Sequence, residues 1–189
     1  MKKIILASGS PRRKELLAQI GLDFEVIVSD AKEVMTSTHP GEVVKELSGC
    51  KAMAVALTLN EDQKDAVVIG ADTVVAQGDR ILGKPKDEED AFQMLHMLQG
   101  QTHQVYTGVT LISGEKKVSF YEKSDVSVYP MTDDEIWGYI HTGEPMDKAG
   151  AYGIQGYFAK YIREIQGEYT TIVGLPLGRL WHELTKFMR

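Results

Sequence analysis

Along the first hundred residues, the pattern of apolar and polar positions alternates between that of β-strands and that of α-helices. Four consecutive apolar residues predict a β-strand over 3–7, and leucines at helical spacing predict the helix 11–20 that follows it. A second apolar run predicts a buried strand over 66–70, and an aspartate at a cap position predicts a helix over 87–98. This alternation of strands with helices is typical of an α/β protein.

The second half of the chain contains longer strand patterns that are joined by tight turns. The pattern predicts two strands connected at Ser113-Gly114 and a hairpin around Gln166-Gly167. Further strands are predicted over 24–28, 103–112, 118–128, 158–165 and 169–173, and further helices over 40–59, over 132–142 and from Pro176. Strand–helix units followed by hairpins predict a mixed twisted sheet flanked by helices.

Length and composition are those of an ordinary soluble domain. With 189 residues, 43% hydrophobic and 25% charged, the chain can form one domain over 1–189, with one lobe or two lobes around a cleft. A net charge of −6 argues against a general nucleic-acid-binding protein. Cys50 is the single cysteine, which excludes an internal disulfide and fits a reducing compartment. Since no window approaches the about 20 apolar residues that span a membrane, we expect a cytoplasmic protein without a membrane partner.

The segment that joins the first strand to the first helix has the features of a phosphate site. Ser10 is a suitable N-cap, and Arg12 and Arg13 fall in the first helical turn, where cations oppose the helix dipole. A bound phosphate would reverse that penalty, because it would meet free backbone N–H groups, the hydroxyls of Ser8 and Ser10, and two guanidinium groups. The segment therefore predicts a polyphosphate cradle. A solvated arginine pair after a helix cap is the alternative.

Asp72 lies within the apolar stretch 67–75. A carboxylate among apolar residues is costly unless it has a partner or a chemical role. Because ligands of α/β proteins gather at the carboxyl ends of strands, the position predicts a metal ligand or a general base. Gly70 supports a functional role, because a glycine there indicates close backbone approach nearby. A carboxylate that caps a turn at a strand end is the alternative.

Lys84 follows a glycine in a segment that approaches the pattern of a phosphate-binding P-loop. That motif requires a Ser or Thr after the lysine to hold magnesium, and Pro85 stands there instead. We therefore exclude a P-loop nucleoside triphosphatase, although Lys84 remains a candidate point charge for a phosphate. A surface lysine at the end of a hairpin is the alternative.

The loop 144–156 is rich in glycine and also contains acids, a lysine and an amide. Gln155 within it offers donors and an acceptor, which suit the N3–H and carbonyl edge of uracil or thymine. An ordered structural loop with Gln155 in solvent is the alternative. The five histidines are scattered without metal-ligand spacing, and we expect His103 and His141 at the surface or at the edge of the core.

Taken together, five segments resemble the Maf family of nucleoside triphosphate pyrophosphatases. They are Ala-Ser-Gly-Ser-Pro-Arg-Arg at 7–13, Ile-Gly-Ala-Asp-Thr at 69–73, Gly-Lys-Pro at 83–85, Asp-Lys-Ala-Gly-Ala-Tyr-Gly-Ile-Gln-Gly at 147–156 and Gly-Leu-Pro at 174–176. They occur in the family's order along the whole chain. The resemblance implies an elongated two-lobed α/β fold, related to that of the inosine-triphosphate pyrophosphatases, with a deep central cleft. It also implies hydrolysis of a nucleoside triphosphate to the monophosphate and pyrophosphate, and family members have been associated with arrest of septum formation.

The resemblance also implies roles for individual residues. Arg12, Thr73 and Gln155 match the positions that mark the branch acting on dTTP and UTP. Asp72 matches the proposed proton acceptor of the family. Pyrimidine nucleoside triphosphates, standard or modified, are therefore the expected substrates.

Three more residues match positions in the family's active-site cleft, namely Glu33, Lys51 and Lys84. The resemblance implies a divalent metal, magnesium or alternatively manganese, for which Asp72 and Glu33 are the candidate ligands.

A hydrolytic mechanism follows as a hypothesis. The chain has no obvious covalent nucleophile, so water is expected to attack the α-phosphorus while Asp72 either takes the water proton or holds the metal. The charge on the departing pyrophosphate would be neutralised by the metal and by Arg12, Arg13, Lys51 and Lys84. The alternatives are a non-hydrolysing nucleotide-binding regulator of cell division and a phosphate-ester transferase that needs an acceptor. A monomer and a homodimer are both compatible with the sequence.

Overall fold

The structure of the chain is a computed structural model that describes residues 2–32 and 34–188. Its strands are β1 (Ile4–Leu6), β2 (Glu25–Val26), β3 (Val67–Gln77), β4 (Arg80–Leu82), β5 (Thr102–Ser113), β6 (Lys116–Val128) and β7 (Ile162–Gln166). Its α-helices are α1 (Pro11–Gln19), α2 (Pro40–Ala56), α3 (Glu88–Leu98), α4 (Asp133–Ile140), α5 (Tyr169–Val173) and α6 (Leu177–Met188). Short 3-10 helices cover Glu61–Gln63, Glu144–Asp147, Ala149–Ala151 and Tyr157–Tyr161.

The strands of the described chain form one sheet with the order β2-β1-β3-β5-β6-β7, and β4 pairs with β3 outside this path. Strand β1 pairs in parallel with both β2 and β3, whereas β4 and β7 pair antiparallel with β3 and β6. The prediction of a mixed sheet with helices is therefore confirmed. Among the described helices, none has both the length and the apolar character needed to cross a lipid bilayer.

The chain divides into two compact units. The first unit comprises the described residues of Met1–Asp72, Thr107–Glu122 and Gly174–Arg189, and the second comprises Thr73–Tyr106 and Lys123–Val173. The long strands β3, β5 and β6 each contribute residues to both units.

Helix α2 packs on the sheet of the first unit at two glycines. A Cβ atom at Gly70 of β3 would lie 2.3 Å from the carbonyl oxygen of Ser48, and one at Gly108 of β5 would lie 2.3 Å from that of Val44. No side chain fits at such distances, so the backbone of α2 approaches the sheet closely where glycines leave room. The buried hydroxyls of Ser48 and Thr110 share a hydrogen bond of 2.9 Å across the same contact.

Helices α3 and α4 of the second unit begin at the predicted caps. The carboxylate of Asp87 accepts a hydrogen bond of 2.8 Å from the backbone N–H of Asp90. At the start of α4, Thr132 and Glu135 form a reciprocal capping box. Both helix starts are therefore encoded locally, by a side chain that accepts from an otherwise unpaired N–H group.

The predicted hairpin around Gln166-Gly167 is wrong. Residues 162–166 form β7, which pairs with β6, and the predicted second arm is the short helix α5. The carbonyl oxygen of Glu168 accepts hydrogen bonds from the Ser124 hydroxyl (2.9 Å) and from the backbone N–H of Thr171 (3.2 Å), and the second bond closes a helical turn. These contacts override the strand propensity of the β-branched residues in this segment.

Candidate active site

The predicted phosphate cradle lies at the carboxyl end of β1, in the first unit. Ser8 is buried, and its hydroxyl oxygen accepts hydrogen bonds from the backbone N–H of Ser10 (3.3 Å) and from Nη1 of Arg13 (3.1 Å). Ser10 occupies the predicted N-cap position of α1, with Pro11 in the first turn, but its side chain makes no capping hydrogen bond. The Ser8 hydroxyl therefore organises the start of α1.

Arg13 is held by hydrogen bonds on two sides of its guanidinium group. Nε donates to the carbonyl oxygen of Gly174 (2.8 Å) and Nη1 donates to Ser8. Burial lowers the pKa of Arg13 from its ordinary value, while the nearby Asp72 carboxylate raises it and Arg12 lowers it. A guanidinium group nevertheless stays charged in proteins, so two cations lie near one another beside one carboxylate. Such a pair favours a bound anion, because the anion offsets the repulsion between the cations.

Asp72 of β3 pairs with Lys51 of α2, and both side chains are largely shielded, with 13% and 20% of their surface exposed. The Lys51 ammonium donates a hydrogen bond to Oδ1 of Asp72. Lys51 lies about one helical turn after Ser48, and Asp72 lies two residues after Gly70 on the same face of the strand. The close contact of Ser48 with Gly70 therefore brings the two charged groups together.

Asp72 does not lie at the end of a strand, so the alternative interpretation, a carboxylate that caps a turn at a strand end, is wrong. Strand β3 continues to Gln77, and Asp72 lies in its interior. Strand β1 pairs with β3 as far as Leu6 opposite Ile69, so Asp72 extends beyond the carboxyl end of β1. The Asp72 carboxylate therefore lies just past the carboxyl end of β1, and the carboxyl ends of strands are where the sequence analysis expected a ligand site.

The second unit contains Thr73, Lys84 and Gln155. Lys84 is exposed and follows β4, and the carbonyl oxygen of the preceding Gly83 accepts a hydrogen bond of 3.0 Å from the backbone N–H of Gly150. A Cβ atom at Gly150 would lie 2.8 Å from a methyl group of Val75. Strand β3, the Lys84 segment and the 3-10 helix Ala149–Ala151 are thus packed together within this unit.

Gln155 lies exposed in a turn that we call the Gln155 turn, residues 153–156. The backbone N–H of Gly156 donates to the carbonyl oxygen of Gly153 (3.3 Å) and closes the turn. This part of the predicted loop is therefore an ordered turn that presents an amide side chain to solvent. An exposed Gln155 is consistent with base binding and also with the alternative of a purely structural loop.

Sequence reasoning missed two residues that support this turn, namely Tyr139 and Glu144. They hydrogen-bond each other and the backbone of residues 153–157. No signal in the sequence indicated this pair, because its contacts with Gly153 and Tyr157 exist only in the folded chain.

The expectation that His103 lies at the surface or the core edge is wrong. His103 is fully buried, and its Nε2 shares a hydrogen bond of 2.7 Å with the hydroxyl of Tyr152. Its Nδ1 has no hydrogen-bond partner among the described residues. Burial lowers the pKa of His103 to about 4, although Asp125 opposes this shift. The imidazole is therefore neutral at physiological pH, which fits a structural role in the core of the second unit.

Of the two predicted metal ligands, the structure describes Asp72. Glu33, one of the two predicted metal ligands, lies outside the described residues. Within residues 2–32 and 34–188, no group of three or more His, Cys, Asp or Glu side chains is placed to hold a metal ion. This donor set still fits magnesium, which commonly binds through one or two carboxylates together with substrate phosphates and water. Asp72 is the described carboxylate that meets this requirement.

The comparisons with known proteins agree with the sequence motifs. The chain belongs to the Maf-like protein family, whose model matches residues 3–187. A dTTP/UTP pyrophosphatase of Agathobacter rectalis is 55% identical over 200 residues, which cover 98% of this chain and 98% of that protein. Proteins of the same name from Bacillus cytotoxicus and Bacillus cereus strain G9842 are 52% and 50% identical, covering 99% of this chain and 96% of each relative.

A crystal structure of a nucleoside-triphosphatase / dITP/XTP pyrophosphatase from Mycobacterium abscessus aligns with 99% of this chain and 96% of its own chain, at 14% identity. The TM-score of this alignment is 0.44, and the likeness carries no inference about the site.

Proposed function

We propose that this chain hydrolyses dTTP and UTP, and modified pyrimidine nucleotides of similar shape, to the nucleoside monophosphate and pyrophosphate. Relatives of 50–55% identity that bear the name dTTP/UTP pyrophosphatase support the proposal. The observation that carries it is the pairing of Asp72 with Lys51, since a largely shielded carboxylate with a lysine partner and the Arg13 guanidinium nearby suits phosphate hydrolysis. A single cysteine and a nucleotide substrate fit a cytoplasmic enzyme.

In the proposed reaction, the oxygen of a water molecule forms a bond to the α-phosphorus. The bond from the α-phosphorus to the bridging oxygen of the β-phosphate breaks, and pyrophosphate leaves with its electron pair. Asp72 accepts the proton of the attacking water. Lys51 fixes the orientation of the Asp72 carboxylate through their hydrogen bond.

The remaining cations and hydroxyls have the task of binding the triphosphate. Arg12 and Arg13 neutralise phosphate charge, and the fixed guanidinium of Arg13 does so with little loss of side-chain freedom. Ser8 and Ser10 contribute hydroxyl or backbone N–H groups at the N-terminus of α1. Lys84 supplies a further positive charge.

In the alternative role of Asp72, this carboxylate would hold the divalent cation, magnesium or manganese, together with Glu33. When bound, the cation neutralises phosphate charge and favours departure of the pyrophosphate. The described residues supply one carboxylate for this purpose, and phosphate and water oxygens complete the usual coordination of magnesium.

We assign base recognition to Gln155 and Thr73. An exposed amide carries both a donor and an acceptor, so Gln155 can pair with the N3–H and a carbonyl of thymine or uracil. Cytosine presents N3 as an acceptor and an amino group as a donor instead, so the amide must rotate by 180° to pair with it, and dCTP is the natural comparison substrate.

The decisive experiment is hydrolysis of dTTP by the purified protein with magnesium in water labelled with oxygen-18. We expect dTMP and pyrophosphate in equal amounts, with the label in dTMP. The exposed Asp79→Asn variant serves as an acid-to-amide control that retains this activity. Nucleotide binding without pyrophosphate release would instead indicate a non-hydrolysing regulator, and label in the pyrophosphate would contradict attack at the α-phosphorus.

A further inference from the structure

We propose that Tyr139 and Glu144 are positioning residues that set the selectivity of Gln155 for a pyrimidine base. The inference rests on the proposed function, because it assumes that Gln155 contacts the base. Neither residue takes part in the hydrolytic chemistry assigned above. Both act through the backbone of the Gln155 turn.

A continuous chain of hydrogen bonds joins the two sides of the Gln155 turn. The backbone N–H of Gly153 donates to the Tyr139 hydroxyl (3.0 Å), and this hydroxyl donates to Oε1 of Glu144 (2.8 Å). The other carboxylate oxygen, Oε2, accepts from the backbone N–H of Tyr157 (2.9 Å). Gly153 and Tyr157 lie two residues before and two residues after Gln155. The Tyr139–Glu144 pair therefore fixes the backbone on both sides of the amide.

The glycines of the turn are matched to this arrangement. A Cβ atom at Gly156 would lie 2.0 Å from Oε2 of Glu144, and one at Gly153 would lie 2.7 Å from Cε of Lys148. The Lys148 ammonium in turn donates to the carbonyl oxygen of Glu144 (2.7 Å). Side chains from residues 144 and 148 thus occupy the space that side chains at 153 and 156 would need.

The protonation state of Tyr139 suits its hydrogen bonds. Burial raises the pKa of Tyr139, as does the hydrogen bond to Glu144, whereas the hydrogen bond from Gly153 opposes the shift. Tyr139 therefore remains a neutral hydroxyl that can accept from Gly153 and donate to Glu144 at the same time. The aromatic ring packs on Phe158 with centroids 5.0 Å apart, so the ring itself is held independently of the hydroxyl.

Selectivity depends on this support because the Gln155 side chain is exposed and makes no hydrogen bond to any described residue. Its position before the base arrives is set by the turn that carries it. A turn that moves freely allows the amide to meet alternative bases, which weakens discrimination more than it weakens hydrolysis.

The test compares wild-type protein with Tyr139→Phe, which removes the hydroxyl and keeps the ring. We expect the ratio of kcat/KM for dTTP to kcat/KM for dCTP to fall about fivefold to tenfold, as loss of one or two hydrogen bonds implies. The change should lie mainly in the KM for dTTP, with kcat at saturation within about twofold of wild type. Glu144→Gln is the second variant, and it should shift the ratio in the same direction.

Tyr161→Phe is the matched control. Tyr161 is also buried against Phe158, with ring centroids 5.5 Å apart, but its hydroxyl makes no hydrogen bond to the described residues 153–157. This variant should leave the ratio unchanged. Equal loss of activity on dTTP and dCTP in Tyr139→Phe and in Glu144→Gln would show a purely structural role and overturn the inference.

Gln155→Ala separates the two levels of the proposal. If this variant loses discrimination and Tyr139→Phe does not, the positioning role is wrong and the base-binding role stands. An unchanged ratio in Gln155→Ala would overturn the base-binding role, and the inference with it. The double variant should show no further loss of discrimination than Gln155→Ala alone, because the hydroxyl acts through the amide.

Discussion

The ammonium group of Lys51 hydrogen-bonds the carboxylate of Asp72 from a neighbouring helix, at a point where helix and strand backbones are in close contact. Gly70 permits this contact, since any side chain there would meet the Ser48 carbonyl oxygen. The placement of the charged pair is therefore a property of helix packing as much as of the two side chains.

Replacing Asp72 by Asn should abolish turnover and preserve nucleotide binding. An amide cannot accept the proton of the attacking water, so we expect kcat to fall about 10³-fold or more. Pyrophosphate release measures the loss, and calorimetric titration with a non-hydrolysable dTTP analogue measures binding. Turnover within tenfold of wild type would remove Asp72 from the chemistry.

Replacing Gly70 by Ala should lower both stability and activity. The added methyl group would lie 2.3 Å from the Ser48 carbonyl oxygen, so α2 must shift away from β3. We expect a loss of about 1–3 kcal/mol in the free energy of unfolding, together with a reduced kcat because Lys51 moves relative to Asp72.

Gly138→Ala is the control for that prediction. Gly138 lies exposed in α4, and a Cβ atom there would have no heavy atom within 4 Å. The same substitution should stabilise the protein by about 0.5–1 kcal/mol and leave kcat unchanged. Urea denaturation of both variants gives the comparison, and equal effects at the two positions would contradict the packing argument.

Replacing Arg13 by Lys should weaken nucleotide binding although it keeps the charge. Lysine cannot donate to the Gly174 carbonyl and to the Ser8 hydroxyl in the same geometry, so the phosphate site loses a fixed cation. We expect KM for dTTP to rise about tenfold, whereas the exposed Arg163→Lys change should have no effect. Initial-rate kinetics over a range of dTTP concentrations measure both variants.

Stability should fall in mild acid because of His103. The pKa of His103 is about 4 in the folded protein and about 6.5 in the unfolded chain, so the unfolded state binds more protons between these values. The free energy of unfolding should therefore decrease as the pH falls from 6.5 to 4, by roughly 3 kcal/mol from this residue. Urea midpoints measured across that range test the slope.

His103→Gln should reduce the slope of stability against pH, since glutamine can still hydrogen-bond the Tyr152 hydroxyl and does not titrate. His182→Gln, at an exposed position of α6, should leave the slope as in wild type. A slope that is the same in all three proteins would show that His103 does not govern the acid response.

Most helices and strands were predictable from local signals in the sequence. The caps at Asp87 and Thr132 and the apolar run of β1 lie where periodicity and capping chemistry predict them. The segment 169–173 was mispredicted because its helical state depends on Ser124, which is distant in sequence. Propensity alone cannot reveal such a contact.

The candidate site was likewise predictable only where a residue gives a local signal in the sequence. Asp72 is conspicuous because its charge lies within an apolar stretch, and the Arg12-Arg13 pair is conspicuous because cations in a first helical turn oppose the helix dipole. Lys51 was singled out only through the family resemblance. Glu144 gave no comparable signal, since its function as a hydrogen-bond acceptor depends on the folded positions of Tyr139 and Tyr157.

The inner side of α2 contacts glycine backbone at 70 and 108, which leaves no free volume for larger residues on that side. Protein engineering for thermostability consequently has to use the opposite side of the helix. Met53 and Leu57, the residue that follows the helix, are accessible there, with 40% and 78% of their surface exposed. Polar replacements at these two positions should leave the turn that carries Lys51 undisturbed.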